Sequence, residues 1–244
     1  MRNMISWKLR RTVKSVPFYL MFGASLFVAL LFIPFASDDG VQTAMELLLQ
    51  TLSRLASVFD LFAGLYAALC LTHDVQNRFV SAAVMTGNSI FSVVISEFVG
   101  FAFAVFVSVL VPSLVAFFIG LGIFGFGGMS IATVLGAILY VALYAFVCVA
   151  AFGITVPICF IIRGEGLSCI VNMIVLITLW SLVQEVIETA VGTLIEYTSF
   201  GQLFFLCSGD FSACPVIKAL SVGFVTIALL LLISYSVLKN KELK

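Results

Sequence analysis

Two carboxylates lie inside long apolar stretches of this sequence, where a charged side chain is costly. Asp60 falls within residues 54–71, and Glu185 lies near the end of residues 167–187. A carboxylate in a membrane span usually faces the bundle interior or a wet cavity, so both are candidates for lining a solute pathway. Asp60 could equally make a helix contact, or reach water from a position near the outer membrane surface.

A second polar stretch, residues 72–89, interrupts the apolar pattern between two of these segments. Asp74 and Arg78 are four residues apart, so they can form an ion pair along one face of a helix. The opposite, apolar face would carry Val75, Phe79, Ala82 and Ala83. This face would pack against the lipid interface or in a groove of a partner protein, and both interpretations stay open.

The ends of this helix carry their own signals. Thr72 is a candidate N-cap, because its hydroxyl can accept a hydrogen bond from the first free N–H groups. Gly87 followed by Asn88 is a candidate stop, because both residues tolerate a left-handed backbone. The pattern therefore predicts one short amphipathic helix from Thr72 to Thr86.

Cysteine and histidine chemistry is sparse. Cys207 and Cys214 flank a Gly-Asp turn in one segment that we place outside the cell, and we predict a disulfide between them. His73 is the single histidine, and the sequence has no Cys-x-x-Cys pair, so a metal site with nitrogen and sulfur ligands is not expected. No hydrolase, metalloprotease or phosphate-loop motif occurs, so we predict no catalytic residues.

Composition decides the class of protein. Apolar residues make up 63% of the chain and charged residues 10%, and the mean hydropathy is +1.25. A soluble domain carries about 25% charged residues. The sequence therefore predicts an all-α polytopic membrane protein, with residues 1–244 forming a single transmembrane domain. The net charge of zero gives no indication of nucleic-acid binding.

Six apolar stretches are about long enough to cross a bilayer. We place the spans at about 17–36, 54–71, 91–120, 131–162, 167–187 and 216–238. Residues 72–89 then form a helix between spans 2 and 3, and residues 188–215 form an external segment that can dip into the outer leaflet. Residues 41–53 are either an external connector or the outer turns of span 2.

Residues 1–16 are basic and contain no acid. They predict an amphipathic interface helix on the cytoplasmic leaflet. Its main interface residues would be Trp7, Lys8, Arg10 and Arg11. A plain basic tail is the alternative. A secretory signal is disfavoured, because many spans follow and no cleavage site is present.

The basic residues orient the chain in the membrane. With the N-terminus in the cytoplasm, all of the 12 lysines and arginines except Arg54 and Lys218 lie on the cytoplasmic side. This distribution is typical of the positive-inside rule. It places both termini and residues 72–89 in the cytoplasm.

The order of these parts resembles the permease subunit of an ABC-2 type ABC transporter, a family with the type V exporter fold. The local similarity lies in Asp74, Arg78-Phe79 and Gly87-Asn88-Ser89, at the family's spacing after span 2. The terminal Leu238-Lys-Asn-Lys-Glu-Leu-Lys244 is also similar. The sequence departs from the family pattern at two positions. Ile90 stands where the family often has Arg, and Glu97 where it often has Lys.

This resemblance implies a function and a set of partners. A separate cytoplasmic ABC ATPase would bind ATP and Mg, while this chain would bind no cofactor itself. A second permease subunit, identical or paralogous, would flank a pathway lined by spans 2 and 5 in the bacterial inner (plasma) membrane. The helix at 72–89 would be the coupling helix that contacts the ATPase. Its coupling residues would be His73, Asp74, Val75, Arg78, Phe79, Gly87 and Asn88.

The cargo implied by the resemblance is an amphipathic molecule such as a peptide, a drug or a lipid-like compound. Two other classes remain open on the residues alone. One is a self-contained secondary transporter or channel, which predicts inverted repeats and paired polar residues at mid-depth. The other is a non-transporting membrane partner protein, which predicts no associated ATPase.

Overall fold

The computed structural model describes residues 2–31, 33–34, 43–77, 79–125, 131–162, 164–187, 195–207 and 213–242. Over these ranges the chain is all-helical, as the composition predicts. We number the helices in chain order. They are α1 (Arg2–Lys14), α2 (Val16–Leu31), α3 (Ala44–Ala67), α4 (His73–Gln76), α5 (Phe79–Met85), α6 (Ile90–Phe124), α7 (Ile131–Phe152), α8 (Thr155–Ile161), α9 (Glu165–Ile187), α10 (Ser199–Cys207) and α11 (Ala213–Glu242).

Four of the helical segments are individually long and apolar enough to cross a membrane: Ile90–Phe124, Ala132–Ile161, Glu165–Val186 and Cys214–Asn240. Two bent pairs of helices pass the same test, one of them bent by 60° between α1 and α2. The structure therefore supports four to six spans. Large apolar side chains are exposed along the outer helices, for example Phe27, Ile174 and Phe224, as expected of surfaces that face lipid.

The bend between α1 and α2 has a local cause. Pro17 occupies the second position of α2 and has no N–H, so a continuous helix would lose a hydrogen bond there. Ser15, at the break, instead donates its hydroxyl to the carbonyl of Thr12 at 2.8 Å. Helices α1 and α2 are therefore two separate, differently directed elements.

The second long helix begins earlier than the predicted span. Thr43 and Glu46 form a reciprocal capping box at its start, which satisfies two backbone donors. The residues between Ala44 and Ser53 are therefore turns of α3 rather than a separate connector. At its other end α3 continues into a π-helical turn, Ala68–Thr72.

The predicted fourth span is one stretch in sequence but two helices in the structure. Gly153 and Ile154 form a turn between α7 and α8. Pro157 lies in the first turn of α8, where its missing N–H has no intrahelical partner to lose. A Cβ on Gly153 would lie 2.8 Å from the carbonyl oxygen of Val149, 3.0 Å from Leu230 Cδ1 and 3.3 Å from Phe98 Cε2, so a larger residue would require these neighbours to shift.

Helix α6 is the centre of the bundle. It packs against α1, α2, α3, α7 and α11, and its buried residues are spread along the helix from Val93 to Leu121. Pro112 lies within this helix, which continues through it. The short helix α10 packs against α7, α11 and α3, so part of the predicted external segment folds back into the bundle.

Candidate functional site

The predicted amphipathic helix from Thr72 to Thr86 is two short helices rather than one. Helix α4 ends at Gln76, and α5 runs from Phe79 to Met85. The predicted N-cap is wrong, because Thr72 has a helical backbone and its hydroxyl makes no capping bond. It donates instead to Ser168 Oγ of α9 at 2.9 Å.

The predicted stop at Gly87 and Asn88 is confirmed. Gly87 has a φ of +91°, a left-handed conformation that favours glycine. Its N–H donates to the carbonyl of Val84 at 3.0 Å, and the Asn88 N–H donates to that of Ala83 at 3.2 Å. These two bonds are the Schellman pattern that closes a helix C-terminus.

Four charged residues from three helices form a buried ionic cluster: Lys8 and Arg11 of α1, Asp74 of α4 and Glu97 of α6. Lys8 Nζ donates to Asp74 Oδ2 at 2.5 Å and also to Glu97 Oε2. Arg11 Nη2 lies 2.5 Å from Asp74 Oδ1, an ion pair without hydrogen-bond geometry. The cluster contains two cations and two carboxylates, so its charges balance.

Burial makes these pairs matter more than surface pairs. The side chains of Lys8, Asp74 and Glu97 are 6%, 2% and 1% exposed. Burial lowers the pKa of Lys8, but the neighbouring carboxylates of Glu97 and Asp74 raise that pKa by more. The pKa of Lys8 therefore lies above its ordinary value, and its ammonium stays charged at neutral pH.

A glycine makes room for the lysine. A Cβ on Gly100 of α6 would lie 2.9 Å from Lys8 Cγ and 3.0 Å from Lys8 Cε. The apolar stem of Lys8 thus lies directly on the backbone of α6, and its ammonium continues towards Glu97. Helix α1 is therefore held against α6 by both packing and charge.

The cluster corrects two expectations about α1 and α4. Lys8 was expected on the headgroup side of an interface helix, but it is 4% exposed and faces α6. Asp74 was expected on the polar face with Arg78, but its carboxylate is buried between Lys8 and Arg11. The cause is the same in both cases, because oppositely charged partners from distant parts of the chain offset the cost of burial. Arg78 lies outside the described residues.

The remaining predicted interface residues stay near the surface. Arg10 is exposed, and Trp7 is 41% exposed. The guanidinium of Arg11 lies 5.3 Å from the centre of the Trp7 ring, within the range of a cation–π contact.

A second set of contacts holds α4 against α9. His73 Nδ1 lies 2.7 Å from Glu165 Oε1, and His73 Nε2 lies 2.8 Å from Asn77 Nδ2. Below them, Asn172 donates to Cys159 Sγ at 3.2 Å within a buried polar group that includes Thr72 and Ser168. A single amide inside an apolar run is a signal for a helix contact. Asn172 was not among the site residues predicted from the sequence.

The other predicted coupling residues differ in exposure. Val75 packs against the core. Two residues of α5 that were not predicted as coupling residues, Ala82 and Met85, are exposed, Met85 by 87%. The side chain of Phe79 lies outside the described residues. The surface that this segment offers to a partner is therefore made mainly by α5 and not by Asp74.

The two pathway candidates lie on neighbouring helices. Glu185 is exposed near the C-terminal end of α9, on a face that also carries exposed polar residues: Thr178, Ser181 and Gln184. Asp60 lies in α3, and its side chain is outside the described set. Helices α3 and α9 pack closely, since a Cβ on Gly64 of α3 would lie 3.4 Å from Asn172 Cβ.

The predicted disulfide is not formed, because Cys207 and Cys214 are both free thiols. Cys207 ends α10 with its Sγ 3.7 Å from the Tyr144 hydroxyl, inside the bundle. Cys214 is exposed at the start of α11. The two thiols therefore occupy different environments.

Comparison with known proteins returned no significant match: no family model, no curated protein and no solved structure matches this chain.

Proposed function

We propose that this chain is the membrane-spanning permease subunit of an ATP-driven exporter. A separate cytoplasmic ATPase would hydrolyse ATP with Mg, and the present chain would move an amphipathic cargo outward beside a second permease subunit. The observation that carries the proposal is the buried ionic cluster, which connects the segment between spans 2 and 3 to α1 and α6.

The cluster attaches that segment to several helices, and a coupling element must be attached in this way to transmit a movement. Helix α4 is bound to α1 through Asp74, and Lys8 of α1 connects this pair to Glu97 of α6. His73, and Thr72 just before α4, contact α9. A displacement of α4 and α5 by an ATPase would therefore be passed to several spans together, since packed elements move as rigid bodies. A loosely attached loop helix would absorb the same displacement.

The exposed face of α9 supports the pathway part of the proposal. Its inner half exposes apolar side chains such as Leu167, Ile170 and Ile174, whereas its outer half exposes Ser181 and Glu185 beside the apolar Ile177 and Leu182. Polar groups are costly against lipid hydrocarbon. This half of the helix is better suited to a second subunit or a wet pathway.

The first test is to purify the tagged chain in mild detergent from its native host and identify the co-purifying proteins by mass. We expect a soluble subunit with Walker A and ABC signature motifs, in stoichiometric amount. A chain that purifies alone, and that moves solute in liposomes under an ion gradient, would replace this proposal with a secondary transporter.

A surface variant then tests the docking face. Met85→Asp should abolish association with the ATPase, because it places a charge on the exposed apolar surface of α5 without disturbing the core. Met85→Leu is the matched control and should retain association. Equal association of both variants would exclude α5 from the contact.

A further inference from the structure

A cleft of about 360 Å³ lies at the bend between α1 and α2. It is bounded by α3 and its π-helical turn, by α4 and by the start of α9. Its volume is within the range of small-molecule sites. Its charged lining residues come from three helices: Arg11, Lys8, Asp74, His73 and Glu165.

The cleft offers charges of both signs. The side chain of Arg11 is 39% exposed while it contacts Asp74, so it can also meet a ligand at the surface. The carboxylate of Glu165, paired with His73, is 34% exposed. Because one accessible cation comes from α1 and one accessible carboxylate from α9, the cleft complements a zwitterion. A guanidinium suits phosphate oxygens, and a carboxylate suits an ammonium group.

A shallow apolar groove, whose enclosed volume is only about 10 Å³, continues from the cleft along α2 and α3. The two cavities share Pro17, Tyr66 and Leu69. The other residues of the groove are Leu20, Met21, Phe62 and Leu65. A charged cleft that opens into an apolar groove, on a chain with membrane-spanning helices, has the polarity pattern of one phospholipid molecule.

We propose that the cleft and groove form a binding site for a zwitterionic glycerophospholipid with a primary ammonium group, such as phosphatidylethanolamine. Its phosphate lies beside Arg11, its ammonium beside Glu165, and one acyl chain lies over the groove against the exposed side chain of Leu20. An anionic lipid without an ammonium group would give Glu165 no cation to contact. A choline headgroup has no N–H to donate to the carboxylate.

The site adjoins the ionic cluster, with which it shares Lys8, Arg11 and Asp74. A lipid bound there stabilises the arrangement of α1 against α4, because binding to the folded state alone adds to its stability. This inference stands independently of the proposed transport function, since it depends only on the cleft, the groove and a surrounding bilayer.

Native mass spectrometry of the purified full chain tests the site. The chain is mixed with equal amounts of palmitoyl-oleoyl phosphatidylethanolamine, phosphatidylglycerol and phosphatidylcholine. We expect preferential retention of one phosphatidylethanolamine. Glu165→Gln should reduce that preference over phosphatidylglycerol by about tenfold, the value of one charged hydrogen bond. Glu165→Asp should keep the preference.

The groove is tested separately. Leu20→Trp should reduce retention of all three lipids, because the larger ring fills the groove. Leu30→Trp is the matched control on the same helix, at an exposed position that does not line the groove. Thermal unfolding with added lipid gives a second readout, and wild type should gain more stability than Glu165→Gln.

Two results would overturn the proposal. Equal or stronger retention of phosphatidylglycerol by wild type, or an unchanged preference in folded Glu165→Gln, would remove the headgroup assignment. Equal retention by Leu20→Trp and Leu30→Trp would remove the groove.

Discussion

The Lys8 ammonium lies 2.5 Å from Asp74 Oδ2, although 66 residues separate them in the sequence. The same ammonium contacts Glu97, which is 89 residues away. One buried cation therefore joins the N-terminal helix, the segment between spans 2 and 3, and the central helix α6. The arrangement makes the geometry of that segment depend on α1.

Removal of Lys8 should destabilise the chain strongly. Lys8→Met removes one of the two cations that neutralise the buried carboxylates of Asp74 and Glu97. Removing one partner of a buried ion pair costs about 3–5 kcal/mol. We expect a clear fall in the midpoint of thermal unfolding in detergent. Lys8→Met combined with Glu97→Leu should recover part of the loss. Arg10→Met, at an exposed position on the same helix, is the control and should leave the midpoint nearly unchanged.

The contribution of Lys8 in the ionic cluster to stability should depend on pH in a defined way. The folded-state pKa of Lys8 is raised, so its contribution is complete below the unfolded value of about 10.4 and is lost progressively as the pH rises from that value through the folded value. Between about pH 6 and 9, the difference in the free energy of unfolding between wild type and Lys8→Met should therefore contain the full Lys8 contribution. A difference that disappears within that range would contradict the raised pKa.

The close approach of α1 to α6 can be tested at a glycine. Gly100→Ala should destabilise the chain by about 1–3 kcal/mol, because the new methyl group overlaps the stem of Lys8. Gly122→Ala is the matched control on the same helix, where no atom lies within 4 Å of the new Cβ. That control should be neutral or stabilising by about 0.5–1 kcal/mol. Equal effects of the two substitutions would mean that α1 does not pack on Gly100.

The thiols of Cys207 and Cys214 should react differently. Burial raises the pKa of Cys207 to about 11, so little thiolate is present at pH 7. In variants that retain one cysteine each, maleimide should label exposed Cys214 quickly and Cys207 slowly. If non-reducing mass analysis of the protein with both residues finds them bonded, the free-thiol arrangement is wrong.

Glu185 is the accessible pathway candidate. On the proposed function, Glu185→Ala should lower the transport rate, by about tenfold if the carboxylate contributes a charged hydrogen bond to the cargo or the pathway. The unfolding midpoint should not change, because the side chain is exposed. Leu182→Ala, at an exposed neighbouring position, is the control. An unchanged transport rate in Glu185→Ala would exclude this residue from the pathway.

Local patterns accounted for several elements of the structure. The apolar run at 167–187 predicts a helix where α9 is observed, and Gly87-Asn88 predicts the end of α5. These features depend on neighbouring residues alone. A run of apolar side chains, or a residue that tolerates a left-handed backbone, acts within a few residues of its own position.

The partners of the buried charges were not predictable in the same way. In the sequence Asp74 has Arg78 four residues away, and local spacing favours that pair. Only the packing of α1 across α6 brings Lys8 to Asp74. That packing requires Gly100 at the crossing point and Glu97 one turn away.

The sequence by itself determined the class of this protein: an all-helical chain with several apolar helices long enough to cross a membrane. So little charge cannot cover the surface of a soluble domain, wherever the residues lie. Only the tertiary structure decided that Lys8, Asp74 and Glu97 meet, and that a charged cleft opens at the bend after Lys14. Composition depends on the sum of the residues, whereas an ion pair depends on distances between helices far apart in the chain.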